Sequence, residues 1–126
     1  MSQNQASGAK ANEYGRECGA KIAAALGATK KRAGSNECIL NGETIWIKCA
    51  NPKTNKVGVY SHVFDRIAAV LGAFKTDDGQ YNVFRLSTEQ FLKNMVERDY
   101  ERGKMGQVTR SVFERDGLKV GALKLD

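Results

Sequence analysis

The sequence predicts an α/β (α+β) fold, with a small mixed sheet flanked by helices. Three observations predict it. Tyr14, Cys18, Ile22 and Ala25/Leu26 recur at helical spacing ahead of Gly27. Two strand-like runs flank Asn41-Gly42, and a broad apolar stripe over Val63–Phe74 is followed by the alternating segment Tyr81–Arg85. The chain has 126 residues, 41% hydrophobic and 27% charged, enough for one modest core. A single Pro and apolar runs broken by charge exclude a collagen-like chain, a transmembrane helix and wholesale disorder. Residues 1–12, rich in Ser, Gln, Asn, Ala and Gly, predict a flexible N-terminal arm without the apolar core of a secretory signal. Residues 13–126 then form a single domain.

The elements follow in order. Glu13–Leu26 is the first helix, ended by Gly27 in the left-handed position that suits glycine. Ala28–Ala33, with Lys30, Lys31 and Arg32, is read as a short edge strand or a loop. Asn36–Leu40 and Thr44–Ala50 are two strands of a hairpin, because Asn and Gly tolerate the positive φ angles of its tight turn. Val57–Tyr60 is a short strand or the lead-in to a second helix, which Val63, Phe64, Ile67, Val70, Leu71 and Phe74 predict up to Asp77-Asp78-Gly79. Tyr81–Arg85 is a strand. Ser87 and Gln90 have capping-box spacing, which starts a third helix near Thr88. Glu97–Lys104 is read as an exposed helix end running into a loop, and Val108–Leu125 as a further helix or strand.

Twenty Lys and Arg against 14 Asp and Glu give a net charge of +6, which favours a polyanionic partner. Cys18, Cys38 and Cys49 are odd in number and lack C-x-x-C spacing, so they are read as reduced core thiols of a cytoplasmic protein with no membrane partner. Phosphate-loop and dinucleotide folds are disfavoured, since neither glycine-rich signature follows a strand.

Antiparallel pairing about Asn41-Gly42 sets Leu40 against Glu43, and Glu37 opposite Trp46 with Lys48 on a diagonal. Glu17 on the first helix is a third candidate. Carboxylates gathered with a lysine suit metal-assisted phosphodiester hydrolysis, the oxygens holding Mg²⁺ and the cation positioning water or stabilising the transition state. The same spacing is equally that of a solvated Glu37–Lys48 cross-strand pair and a Glu17–Lys21 helix pair.

Over roughly residues 13–86, Gly15-Arg16-Glu17, Gly34-Ser35-Asn36-Glu37, Asn41-Gly42-Glu43 and Ile45-Trp46-Ile47-Lys48 resemble the PD-(D/E)xK phosphodiesterase superfamily, the restriction-endonuclease-like fold. The resemblance implies an αβββαβ core with an acid on the second strand, a (D/E)-x-K motif on the third and often an acid on the first helix. By it, Glu37, Lys48 and Glu17 are the catalytic residues, with Glu17 and Glu37 as ligands of Mg²⁺ or Mn²⁺. Trp46 stands where the motif has an acid or Gln, so Glu17 supplies the second carboxylate or the fold is a non-cleaving relative. Lys30, Lys31, Arg32, Ser35, Asn36, Lys53 and Lys56 are the expected nucleic-acid contacts. His62, the sole histidine, has no metal-ligand partner in sequence reach and is read as a helix-end or core residue. Trp46 is read as strand packing, with base stacking as its alternative.

The expected function is a metal-dependent DNA endonuclease or nickase. The alternative is a non-catalytic module of the same fold that binds nucleic acid or a protein partner. Analogy with nucleases that cut both strands adds a homodimer as a possible assembly.

Overall fold

The computed structural model describes residues 15, 17–31, 35–101 and 103–125. The predicted arm over residues 1–12 and the expected contact Arg32 lie outside them. Asn41 and Gly42 adopt φ of 52° and 80°, as a tight hairpin turn requires. They join β2 (Glu37–Leu40) to β3 (Glu43–Cys49) with Leu40 paired to Glu43 and Glu37 paired to Trp46, the predicted register. The short strand β1 (Thr29–Lys30) adds to the outer edge of β2. Residues 17–26 form α1, the first helix.

The chain departs from expectation after β3. Strand β4 (Lys56–Tyr60) leads into a 3-10 turn at Ser61–Val63, and then β5 (Ala69–Lys75) runs parallel to β3. The second helix predicted over Val63–Phe74 is therefore corrected to a turn and a central strand. The reason is burial on both sides. Ala69, Leu71 and Ala73 face one core cluster and Val70 and Phe74 the other, and a continuous apolar run of that kind mimics a helical stripe. Strand β6 (Gln80–Ser87) follows, antiparallel to β5.

Ser87 then caps α2 (Thr88–Asn94) as its spacing predicts. Its hydroxyl accepts from the Gln90 amide at 3.1 Å, and Gln90 Oε1 accepts from the Ser87 amide at 2.9 Å. The helix end and loop expected over Glu97–Lys104 are instead the hairpin β7 (Val96–Tyr100) and β8 (Gly103–Thr109). Every residue of β7 is exposed, so no apolar alternation marked it as a strand. The tail contains both elements offered for it, α3 (Arg110–Asp116) and β9 (Leu118–Lys124).

Among the described residues the fold is thus mixed α/β, with a six-stranded sheet ordered β1-β2-β3-β5-β6-β9 and a three-stranded sheet ordered β4-β8-β7. On one face of the larger sheet α1 packs Cys18, Ile22 and Ala23 against Cys38, Ile45, Ile47 and Leu71. On the other, Trp46, Val70 and Phe74 meet Val57 and Val59 of the small sheet, Phe91 of α2 and Phe113 of α3. Trp46 is 5% exposed, and its indole N–H donates to the Gly58 carbonyl at 3.1 Å. It therefore ties the two sheets together, which supports its packing role.

The reading of all three cysteines as reduced thiols is also corrected. Cys18 and Cys49 form a disulfide between α1 and the end of β3, with Cα atoms 6.0 Å apart, and Cys38 is a buried free thiol. Helix packing brings the two Cβ atoms together, a proximity across 31 residues that spacing alone does not show. Disulfides persist chiefly in oxidising compartments, so the basis for a cytoplasmic location falls away. No helix among the described residues is long and apolar enough to cross a membrane.

Candidate nucleic-acid interface

Strands β3 and β5 are parallel and finish at the same end of the larger sheet, where β2 and β6 begin and β9 ends. That register collects cations at one edge. Lys31 follows β1, Lys48 lies near the end of β3, Lys53 is in the following turn, and Lys75 and Lys124 close β5 and β9. Ser35 and Asn36 lie there too, just before β2. The Ser35 hydroxyl accepts from the Glu37 amide at 3.0 Å, which shapes the turn into the strand. Asp77 and Asp78 share this end, and Asp78 is engaged by the Thr76 hydroxyl, which holds its carboxyl below the usual range. Lys53 is exposed beside Asn51, whose side-chain oxygen accepts from the Lys53 amide at 2.9 Å. Lys56 is exposed at the start of β4, opposite Thr109 of β8. Lys30 pairs with Cys38 in β1 and lowers the thiol's pKa, against the larger upward push of burial.

Lys48 is partly buried and has no ion pair or hydrogen bond among the described residues. Its Nζ lies 3.0 Å from where a Cβ on Gly15 would stand, so glycine at that position leaves it room. Loss of solvent pushes its pKa down. The chain matches no protein-family model, no curated protein and no solved structure.

Glu37 shares a sheet face with Trp46 and Lys48, as predicted, but its carboxylate is committed elsewhere. Arg66 Nε donates to both carboxylate oxygens at 3.1 Å, Nη2 donates to Oε1 at 2.5 Å, and Lys31 Nζ stands 3.9 Å from Oε2. Glu17 lies on the α1 side, exposed in an open cleft of about 230 Å³ that it lines with Lys21, Lys75 and Tyr81. Glu17 thus stands on the α1 face of the larger sheet, whereas Glu37 shares the opposite face with its partner Trp46. Among the described residues no three His, Cys, Asp or Glu side chains gather for a metal.

Arg66 was missed because its segment reads as part of the second helix, whereas it lies in the turn ahead of β5. Lys75 and Lys124 were missed because their position depends on the pairing of β5, β6 and β9. His62 lies in the middle of the 3-10 turn and stacks on Tyr60, ring centroids 5.8 Å apart.

Lys48 carries a direct prediction. A lysine whose folded pKa lies below its ordinary 10.5 leaves the unfolded chain binding more protons between those two values, so stability rises with pH across that window. Lys48→Met keeps the aliphatic stem and removes the desolvated charge. It is expected to stabilise the fold by about 1 kcal/mol at neutral pH and to flatten this slope. Urea unfolding at pH 7, 9 and 10.5 checks both effects.

Proposed function

We propose that this protein binds DNA through the phosphate backbone at the basic end of the larger sheet, as a non-cleaving relative of the restriction-endonuclease-like fold. One observation carries this reading. The Lys48 ammonium has no counter-ion among the described residues and shares its edge with Lys31, Lys53, Lys75 and Lys124, while the buried Glu37 carboxylate already holds a guanidinium. An external polyanion completes such a site, and phosphates spaced along a backbone suit cations spread along a sheet end. The order α1-β1-β2-β3 supports the fold assignment, with Glu37 on the second strand and Lys48 on the third as the resemblance implies. Strand β4 and the 3-10 turn stand in place of that core's second helix.

Fluorescence anisotropy with short duplex and single-stranded DNA tests the proposal. Four phosphate contacts predict an affinity loss of roughly 100-fold between 50 and 200 mM salt. Lys53→Glu/Lys75→Glu is expected to weaken binding about tenfold or more. Salt-insensitive binding, or none, would overturn the reading. Plasmid nicking that requires Mg²⁺ or Mn²⁺ and disappears in Lys48→Ala would replace it with the hydrolytic one.

A further inference from the structure

Glu37 is the one buried charged residue among those described, and it fixes the orientation of Arg66. The Arg66 side chain is still 44% exposed. Nε and Nη2 face the carboxylate, and Nη1 makes no hydrogen bond among the described residues. A guanidinium has five N–H donors in a planar fork, so an edge remains for a second anion. Lys31 approaches the other side of the same carboxylate, and Lys48 stands on the same sheet face one diagonal away. Asp65, exposed and adjacent in sequence, also attracts Arg66. With it included, three cations face two carboxylates and the cluster stays positive.

We propose that Arg66 is a phosphate-binding residue of the interface, that Glu37 is its positioning residue, and that the pair accepts a phosphodiester without a divalent cation. The inference rests on the DNA-binding reading and adds the group that grips the backbone. A carboxylate holding one edge of an arginine restricts the side chain before the ligand arrives, which lowers the ordering cost of binding. The guanidinium also occupies the carboxylate oxygens that a metal ion would need. Two non-bridging phosphate oxygens match the free edge of the fork, whereas a lysine ammonium offers no such planar pair.

The test measures binding of a short DNA duplex by the full chain, with EDTA and with Mg²⁺, across a salt series. Arg66→Gln is expected to lose about tenfold in affinity and to reduce the log–log salt slope by about one unit. Arg66→Lys should restore the slope and little of the affinity. Because Arg66→Gln strands a buried carboxylate, Glu37→Gln/Arg66→Gln is measured beside it, with thermal unfolding as the check on folding, and should show the same loss. Glu37→Gln should weaken binding while keeping the slope. Calorimetric titration of the wild type with Mn²⁺ is expected to show no saturable uptake. The inference is overturned if the folded double variant binds as the wild type does, or if EDTA abolishes wild-type binding. If Arg66 variants bind normally while Lys53→Glu/Lys75→Glu loses binding, this inference fails and the DNA-binding reading stands. If the wild type binds no DNA, both fail.

Discussion

Truncating Phe113 to alanine is expected to lower the unfolding free energy by about 3–5 kcal/mol. Phe113 is fully buried and is the one buried residue of α3, with Val112 packed partly buried beside it on the same cluster. Its ring centre lies 5.3 Å from that of Phe74 on β5 and 6.3 Å from that of Phe91 on α2. The ring reaches the backbone of β5 over Gly72, where its Cε1 lies 3.0 Å from the position a Cβ would take. Strands already paired on either side limit how far the surroundings can close over the void. Domains of this kind are stable by about 5–15 kcal/mol, so the variant sits near the edge of folding at room temperature. Urea unfolding should show a lower midpoint with an unchanged slope. A loss below about 1 kcal/mol would mean that α3 contributes little to the core.

Opening the Cys18–Cys49 bridge should have a comparable effect. The bridge closes a loop with a sequence separation of 31, for which chain entropy predicts a contribution of about 3.7 kcal/mol. Cys18→Ser/Cys49→Ser is expected to lower the melting temperature by roughly 10–15 °C, and a dithiol reductant should do the same to the wild type. Cys38→Ser, at the free buried thiol, should leave that sensitivity to reductant in place. A wild-type melting temperature unmoved by reductant, with both thiols shown free afterwards by alkylation, would overturn the prediction.

These results separate what local sequence encodes from what long-range pairing adds. The Asn41-Gly42 turn and the Ser87–Gln90 box were legible because a few neighbouring residues dictate their backbone geometry. The hairpin even placed Glu37 correctly opposite Trp46. Strand β5 was not legible, because a strand buried on both faces loses the alternation that distinguishes it from a helix. Strand β7 was hidden for the opposite reason, being exposed throughout. The site followed the same division. Lys48 could be found from the hairpin, but the partner of Glu37 could not, since Arg66 reaches it only after β5 folds beside β3. Glu17 was assigned to the same centre by resemblance, and α1 packs on the sheet face opposite the one that Glu37 shares with Trp46.

The route between β3 and β5 also bears on how the chain reaches its native state. Two parallel neighbours are joined by a segment whose strand, β4, finds its partner only in β8, with Lys56 against Thr109. The larger sheet therefore has its crossover pinned by residues from the C-terminal part of the chain, and Trp46 donates to Gly58 within that same segment. Neither sheet can mature as a separate early unit. Such non-local closure slows the search for the native topology and couples the two sheets in one cooperative event. Amide exchange in β3, β4 and β8 should accordingly report a shared opening, and a nascent chain would hold the crossover between β3 and β5 unfinished until β8 had emerged from the ribosome.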